Sequence, residues 1–225
     1  MADIRQSAWR LRLTVLWLTA LAAVLGLAAY SSVTGQASWE AQTVRGLQAA
    51  SPPPLELLAE ALTAAGGSTP LLLTGLAAAG ALLYARHRSL ALLVVAALAL
   101  RALSPIIKDL IERPRPSPAF VDVAHQLNTY SFPSGHVLGA TLLYGSLAYA
   151  VEVAVPHRAL RRACQATLVS LIALMGYARM ELGEHWPTDV MGGWLIGALL
   201  VSALVWLHTR VDTIRVRGLA RDVDR

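Results

Sequence analysis

Long apolar stretches alternate with short polar stretches along most of the chain. A helix that spans a membrane needs about 20 predominantly apolar residues, with a range of about 17–25. Six stretches reach or approach that length, and the second and fifth are short enough that they must tilt or extend into flanking turns. The predicted segments are Leu13–Tyr30, Thr69–Tyr84, Ser89–Ile107, Val137–Val155, Ala166–Ala178 and Val190–His208. The pattern predicts an all-α integral membrane bundle of six transmembrane helices.

The composition supports a membrane protein. Of the 225 residues, 56% are hydrophobic and 15% are charged, whereas about a quarter of the residues in a soluble domain are charged. The single cysteine, Cys164, has no partner for an intramolecular disulfide or a zinc site. The net charge of +5 is compatible with nucleic-acid binding. However, the arginines flank apolar segments and form no single stripe, so we expect no nucleic-acid partner.

The basic residues indicate how the bundle is oriented. Of the 19 Lys and Arg residues, thirteen lie on the side of both termini and five on the other side, with Arg101 inside the third segment. The thirteen are Arg5, Arg10, Arg12, Arg86, Arg88, Arg158, Arg161, Arg162, Arg210, Arg215, Arg217, Arg221 and Arg225. Because cytoplasmic loops carry the excess of Lys and Arg, we expect both termini in the cytoplasm, residues 209–225 as a basic cytoplasmic tail, and three loops outside.

The first outer loop, residues 31–68, contains an amphipathic pattern. In "PPPLELLAEALTAAGG", proline precedes a stripe of Leu55, Leu58 and Leu62, the acidic residues Glu56 and Glu60 lie off that stripe, and glycines follow. This pattern predicts a short helix. Two positions for it remain open: it lies on the outer membrane surface as an interfacial helix, or it packs on the outer ends of the other segments.

Polar residues gather at the outer ends of the third to sixth segments. Four of the five outer cations lie in "KDLIERPRP", which holds the only lysine, and in "ARMELGEHWPTD"; "SFPSGH" lies between these stretches. The groups that the bundle would bring together are Lys108, Arg113, Arg115, Arg179, His136, His185 and Asp189. Converging, weakly hydrated cations require an anion, and the planar fork of arginine matches phosphate oxygens. Ser134 is expected to cap the next helix, and Gly135 lets an anion approach its N–H groups. The pattern predicts a phosphate site.

Two histidines supply candidate chemistry at this site. His185 precedes Asp189 by four residues, and Thr188 is expected to cap the sixth segment. A carboxylate on one imidazole nitrogen fixes the tautomer and leaves the other nitrogen as a nucleophile. His136 would be free to protonate a leaving oxygen.

These three stretches resemble the signature of the type 2 phosphatidic acid phosphatases, the membrane relatives of vanadium-dependent haloperoxidases. That signature reads K-x6-RP, then PSGH, then SR-x5-H-x3-D. The first motif matches at Lys108 and Arg115-Pro116, the second is complete at residues 133–136, and the third matches at Arg179, His185 and Asp189. Ala178 stands where the family usually has serine. We expect this departure to weaken phosphate binding or alter the support of the loop.

The resemblance implies a mechanism that needs no metal or other cofactor. His185 would attack phosphorus and form a phosphohistidine, Asp189 would orient His185, and His136 would protonate the leaving oxygen and then activate water. The residues implied to hold the phosphoryl oxygens are Lys108, Arg115, Ser134, Gly135 and Arg179. The prediction leaves Arg101 and Arg113 without a role.

The resulting expectation is a single phosphatase domain over residues 1–225, embedded in the plasma (inner) membrane with its active site facing the periplasm or extracellular side. Its partner would be a lipid phosphate or diphosphate in the outer leaflet. Among small bacterial members, undecaprenyl diphosphate is the preferred candidate, and phosphatidylglycerophosphate or phosphatidate is the alternative. A non-catalytic lipid-phosphate binder or transporter is the alternative of a different class.

Overall fold

The structure, a computed structural model, describes the backbone of residues 2–223 and the side chains of residues 11–211. Every regular element in this part of the chain is an α-helix, so the all-α prediction is confirmed. The helices are α1 (Ala2–Val33), α2 (Ser38–Ala50), α3 (Pro53–Ala65), α4 (Ser68–Tyr84), α5 (Arg88–Leu100), α6 (Leu103–Ile111), α7 (Gly135–Ala154), α8 (Arg158–Glu181) and α9 (Pro187–Val223).

Several of these helices are long and apolar enough to cross a membrane. Within the described residues there are five such spans, and α3 with α4, which are bent by 63° at their junction, form a sixth if the pair crosses as one. The five spans are Leu11–Val33, Arg88–Ile111, Gly135–Ala154, Arg158–Glu181 and Pro187–Val211. Large apolar side chains lie on the outside of the bundle, including Leu16, Leu73 and Leu92. Such a surface matches a lipid environment, in which apolar side chains carry no penalty for exposure.

Two segments differ in extent from their predictions. The fifth predicted segment is part of α8, a helix of 24 residues. The helix begins earlier than predicted, with polar first turns that hydrogen-bond to α7. Gln165 Nε2 donates to Glu152 Oε2 of α7 at 3.0 Å. The third predicted segment is divided at Arg101 and Ala102 into α5 and α6. This division matters because it places an arginine at a helix break inside a membrane span.

The loop predicted at residues 31–68 contains two helices. The amphipathic stretch forms α3, as the leucine stripe predicts, and α3 packs against α8 through Ala59 and Leu62. The sequence pattern did not predict α2. Its buried residues are Glu40, Ala41 and Val44. Because one of the three is charged, they do not form the apolar stripe by which an amphipathic helix is recognised in a sequence. The position of α3 relative to the membrane surface stays a prediction.

Helix α7 is central to the part of the fold that holds the candidate site. It packs against α5, α8 and α9, and its first turns bury Val137, Leu138 and Leu142. The end of α6, the start of α7, the end of α8 and the start of α9 meet at the same end of the bundle. They are joined there by contacts such as the 3.1 Å hydrogen bond from Ser134 N to Asp189 O. The predicted convergence of the three motif stretches is therefore present in the fold.

Candidate active site

His185 lies in the turn between α8 and α9, and its side chain is buried. Its Nδ1 is 3.4 Å from Asp189 Oδ2, and its Nε2 is 3.2 Å from Arg115 NH1. A guanidinium can only donate hydrogen bonds, so Nε2 must be the acceptor and the ring proton of a neutral imidazole must be on Nδ1. The lone pair therefore lies on Nε2, on the side of the cations, which is the arrangement of an imidazole nucleophile.

The surroundings of His185 keep its ring neutral. Burial lowers its pKa well below the ordinary value, and the positive charges of Arg115, Lys108 and Arg179 lower it further. A neutral imidazole retains the lone pair that nucleophilic attack requires.

Asp189 is completely buried in the first turn of α9. Its Oδ2 accepts hydrogen bonds from Ser131 Oγ and from Trp186 N (2.8 Å), while its Oδ1 accepts from Arg113 NH1 at 2.7 Å. Donors on both oxygens favour the ionised carboxylate. The bond to Trp186 N makes Asp189, rather than Thr188, the residue that caps the start of α9. The prediction that Thr188 is the cap is therefore wrong.

Arg113 connects this carboxylate to α2 through a buried network. Its NH1 donates to Thr188 Oγ1 at 2.5 Å, and its NH2 donates to Glu40 Oε2 at 2.5 Å. Thr188 Oγ1 in turn donates to Glu40 Oε1 at 2.6 Å. The side chains of Arg113, Glu40 and Asp189 are all 0% exposed. Arg113 therefore orients Asp189 from behind and lies on the side of that carboxylate away from His185.

Arg115 is half-buried beside His185. Its Nε donates to Thr129 O at 2.7 Å, and its NH1 donates to Glu184 O at 2.7 Å. Burial lowers the pKa of this guanidinium, and the negative charge of Asp189 opposes that effect. Arginine still remains charged at neutral pH. These bonds hold a cation against Nε2 of His185, the nitrogen predicted to attack a phosphoryl group.

The other predicted phosphate ligands surround the same region. Lys108 Nζ donates to the carbonyl oxygens of Tyr130 and Ser131, the latter at 3.2 Å. Arg179 is buried, forms an ion pair with Glu184, and donates from NH1 to Thr63 Oγ1 at 3.1 Å. Since an ammonium has three donors, Lys108 keeps one N–H for a ligand.

Among the predicted phosphate ligands, two buried donors have no partner in the described part of the chain, namely Arg179 Nε and Ser134 Oγ. Ser134 occupies the N-cap position of α7, but its hydroxyl forms no capping bond, so the predicted side-chain cap is wrong. A buried donor without an acceptor costs about 1–3 kcal/mol. Both atoms are therefore suited to receive the oxygens of an anion.

His136 lies in the first turn of α7, next to Gly135. It is partly exposed, and the charges of Arg179, Arg101, Arg115 and Lys108 act on its ring. Among the described residues, nothing hydrogen-bonds to this imidazole. The structure thus brings together every predicted site residue: Lys108, Arg115, Ser134, Gly135, His136, Arg179, His185 and Asp189. Their catalytic and binding roles stay predictions.

Several polar residues of the site were not predicted from the sequence. Glu40 and Ser131 had no motif position, Arg113 had no assigned task, and Glu184 was not placed at the site. Glu184 is buried, with Oε1 3.0 Å from Nδ1 of the exposed His125 and Oε2 paired with Arg179. One available signal was Arg113 itself, a cation in the outer cluster that lacks a motif position. No comparable pattern marks Glu40.

Ala178, the departure from the family signature, faces away from these polar groups. Its side chain is fully buried and packs in an apolar cluster with Ala59 of α3 and Leu182. A serine hydroxyl on this backbone would therefore meet α3 rather than the cations around His185. The described side chains contain no group of three or more His, Cys, Asp or Glu arranged to hold a metal ion.

Fold and site together define an all-helical membrane protein in which a buried His–Asp pair is surrounded by cations. The sequence model of the PAP2 superfamily matches residues 89–212, which is more than half of the chain. The chain belongs to the PAP2 superfamily. The matched region contains all eight predicted site residues, while α2 and α3 lie outside it.

Individual relatives agree with this assignment. The chain is 33% identical over 116 residues to phosphatidylglycerophosphatase B of Bacillus subtilis, a match covering 51% of this chain and 56% of that protein. It is 36% identical over 74 residues to an undecaprenyl-diphosphatase of Sulfolobus acidocaldarius, covering 31% of this chain and 29% of that protein. The chain thus covers less than two thirds of each curated relative. The crystal structure of a transmembrane PAP2-type phosphatidylglycerolphosphate phosphatase from B. subtilis superposes with a TM-score of 0.75 at 24% identity, covering 87% of this chain and 96% of that one.

Proposed function

We propose that this protein is a phosphatase that removes a phosphoryl group from a membrane lipid phosphate or diphosphate through a phosphohistidine at His185. The observation that carries the proposal is the arrangement of that imidazole. It is buried and neutral, its Nε2 lies 3.2 Å from Arg115 NH1, and its Nδ1 lies against the buried Asp189. Superfamily membership supports the same chemistry.

The reaction proceeds in two steps. Nε2 of His185 attacks phosphorus, the bond between phosphorus and the leaving oxygen breaks, and His136, in its imidazolium form, gives that oxygen a proton. His136 then takes a proton from water, whose oxygen attacks the phosphohistidine and releases inorganic phosphate. Asp189 stabilises the positive charge that develops on the imidazole of His185.

Fixed positive charge replaces a metal ion in this scheme. Lys108, Arg115 and Arg179, together with Ser134 Oγ and the start of α7, surround the place where the phosphoryl oxygens would lie. Charge spreads over those oxygens in the transition state, so preorganised donors lower the barrier. Hydrolysis should therefore survive EDTA, and vanadate, a phosphate analogue, should inhibit it.

The substrate that we favour is undecaprenyl diphosphate in the outer leaflet of the plasma membrane, with the site facing the periplasm or extracellular side. The named activity of the S. acidocaldarius relative supports an isoprenoid diphosphate. The named activity of the B. subtilis relative supports phosphatidylglycerophosphate as the second candidate. Phosphate release measured on purified undecaprenyl diphosphate, phosphatidylglycerophosphate and phosphatidate would rank these substrates.

The proposal is tested by removing the nucleophile. We expect His185→Ala to lower kcat on a short-chain lipid phosphate by about 10³-fold or more, since the covalent route is lost. Phosphate release and thermal unfolding in the same detergent are the measurements. The control is His87→Ala, at the opposite end of the bundle, which should keep wild-type turnover. Unchanged turnover in the His185 variant, or strict dependence on Mg²⁺, would contradict the mechanism and favour a non-catalytic lipid-phosphate binder.

A further inference from the structure

Arg101 is a half-buried cation for which the described residues supply no anion. It lies at the break between α5 and α6, inside the membrane span Arg88–Ile111. Its NH2 donates to Ser68 Oγ at 2.8 Å, while its Nε is buried without a hydrogen-bond partner. No described carboxylate pairs with it. An arginine at membrane depth is normally paired or functional, because its desolvation is otherwise uncompensated.

A crevice adjoins this guanidinium. Its volume is about 310 Å³, which is at the lower end of the range for small-ligand pockets, about 300–1,000 Å³. The polar part of its lining consists of Ser68, Arg101, Ser104 and the backbone of Gly135. A cation, two hydroxyl groups and the start of a helix together form the lining of an anion site.

Helix α7 has a gap in its surface where Arg101 packs. A Cβ placed on Gly139 would lie 2.8 Å from Arg101 Nε, so a side chain at this position would displace the arginine from where it packs. Gly135, one turn earlier on α7, faces Ser104 in the same way, since a Cβ placed on it would lie 3.1 Å from Ser104 Oγ. The close approach of α5 and α6 to α7 brings the crevice to the start of α7.

The crevice adjoins the candidate catalytic site on the side of His136. Gly135 lines the crevice and belongs to the proposed phosphate-binding motif, and the charge of Arg101 acts on the His136 ring. In the proposed mechanism, His136 gives its proton to the leaving oxygen. The crevice therefore lies where the leaving group would be, beyond the phosphoryl group that His185 attacks.

From this placement we infer that Arg101, with Ser68 and Ser104, forms a second phosphate subsite that binds the phosphate remaining on the lipid. The inference rests on the proposed function, and it selects substrates with two adjacent phosphate groups. When His185 attacks the terminal phosphorus of a diphosphate, the bridging oxygen stays with the inner phosphate and takes the proton that His136 gives, so the leaving group is a lipid monophosphate that keeps its negative charge. Arg101 stabilises that charge, whereas a monophosphate leaves an alcohol and places no anion in the crevice.

The test compares two substrates with the same tail, farnesyl diphosphate and farnesyl monophosphate, in a neutral detergent. Arg101→Gln should reduce the ratio of kcat/KM for the diphosphate to kcat/KM for the monophosphate by about 10- to 100-fold, the loss expected for charge-assisted hydrogen bonds. Ser68→Ala should reduce the same ratio less, because the guanidinium remains. The control is Arg158→Gln, an exposed arginine at the start of α8, for which the ratio should not change.

An unchanged ratio in the Arg101 variant, including the case of equal losses on both substrates, would overturn the subsite. Adding phosphatidylglycerol to the micelles separates a neighbouring lipid head group from the substrate's own second phosphate. If this lipid activates the wild-type protein on the monophosphate and Arg101→Gln abolishes the activation, the crevice binds lipid head groups and the assignment to the leaving phosphate is wrong.

A binding measurement keeps the subsite testable apart from the proposed function. Methylenediphosphonate has two phosphoryl groups joined by a bridge that cannot be hydrolysed. It should raise the Tm of the wild-type protein more than inorganic phosphate does, and Arg101→Gln should abolish that preference. If the wild-type protein hydrolyses no lipid phosphate but shows this preference, the proposed function fails and the subsite stands. A preference that survives Arg101→Gln overturns the subsite.

Discussion

The candidate nucleophilic nitrogen of His185 is defined by its neighbours on both sides of the ring. Arg115 can only donate to Nε2, and Asp189 and Ser131 lie on the Nδ1 side. Because Arg115 has no acceptor, Nε2 cannot carry the proton, and the neutral ring is protonated on Nδ1. A glutamine in place of Arg115 would weaken this assignment, because a side-chain amide can both donate and accept.

Arg115→Gln should consequently change the pH dependence of turnover. Burial lowers the pKa of His185 most, and the charge of Arg115 lowers it further, so removing that charge lets the pKa rise. At acidic pH, more of His185 is then protonated and unable to attack, and the acidic limb of the pH profile moves to higher pH. Profiles of kcat/KM for the wild-type and variant proteins, on the same substrate, measure this shift, because kcat/KM reports the pKa values of the free enzyme.

Ionisation of the substrate also affects each pH profile, but it is the same for both proteins and therefore does not contribute to the difference between the profiles. Weaker binding alone would lower the profile at every pH without moving the limb, and such a result would contradict the role assigned to Arg115. The control is Arg158→Gln, whose profile should overlay that of the wild-type protein.

The sequence predicted the site at this scale because motif residues have fixed spacing. Lys108, Arg115, His136, Arg179, His185 and Asp189 all reach one region of the structure. Glu40 could not be predicted, since its contacts with Arg113 and Thr188 span more than 70 residues of sequence and depend on how α2 docks. A buried partner that belongs to no local pattern becomes visible only in three dimensions.

At the scale of elements, Arg113 fastens α2 to the start of α9. Its guanidinium lies between Glu40 of α2 and Asp189 of α9, in a region that also buries Trp186, Ala41 and Val44. The candidate nucleophile is therefore backed by a helix that precedes the PAP2-matched region. Neither α2 nor the break between α5 and α6 was predicted from the sequence. Helix α2 has no apolar stripe, and the apolar stretch of the third segment continues across the break.

Replacing Arg113 by methionine should destabilise the protein strongly. Two buried carboxylates would lose their shared cation, and breaking a buried ion pair costs about 3–5 kcal/mol. The free energy of unfolding in detergent measures the loss, and kcat should fall because Asp189 loses the donor to Oδ1. Arg113→Lys keeps the charge without the planar fork, so it should recover part of the stability.

The matched control is Arg45→Met on the exposed face of α2. Arg45 NH1 donates to Phe120 O at 3.2 Å, and a surface change of this kind typically alters stability by about 0.5 kcal/mol. Equal losses for the two variants would mean that Arg113 contributes no more than a surface arginine, and the buried network would not support the site.

At the scale of the whole molecule, the distribution of arginine predicts which side of the membrane each end of the bundle faces. Hydropathy alone indicated the helical class and the approximate positions of the spans, because lipid imposes length and apolarity on each of them. It carried no information about the bend between α3 and α4, which depends on packing against α8. The orientation stays a prediction based on the positive-inside rule.

Cysteine labelling tests this orientation in a Cys164→Ser background. A membrane-impermeant maleimide should label Gln126→Cys, in the exposed loop after α6, in intact cells. Arg86→Cys, in the turn between α4 and α5, should be labelled only after lysis. The reverse pattern would place the candidate site in the cytoplasm and exclude an outer-leaflet substrate.

The single lysine has a practical consequence for reagents. Lys108 is the only side-chain amine in the sequence, and its Nζ is anchored to backbone carbonyls beside His185. Amine-directed chemistry is unselective in most proteins, but here a reagent selective for amines has one side-chain amine to modify, apart from the terminal amino group. Occupancy of the candidate phosphate site can thus be followed by how well a bound anion shields a single amine.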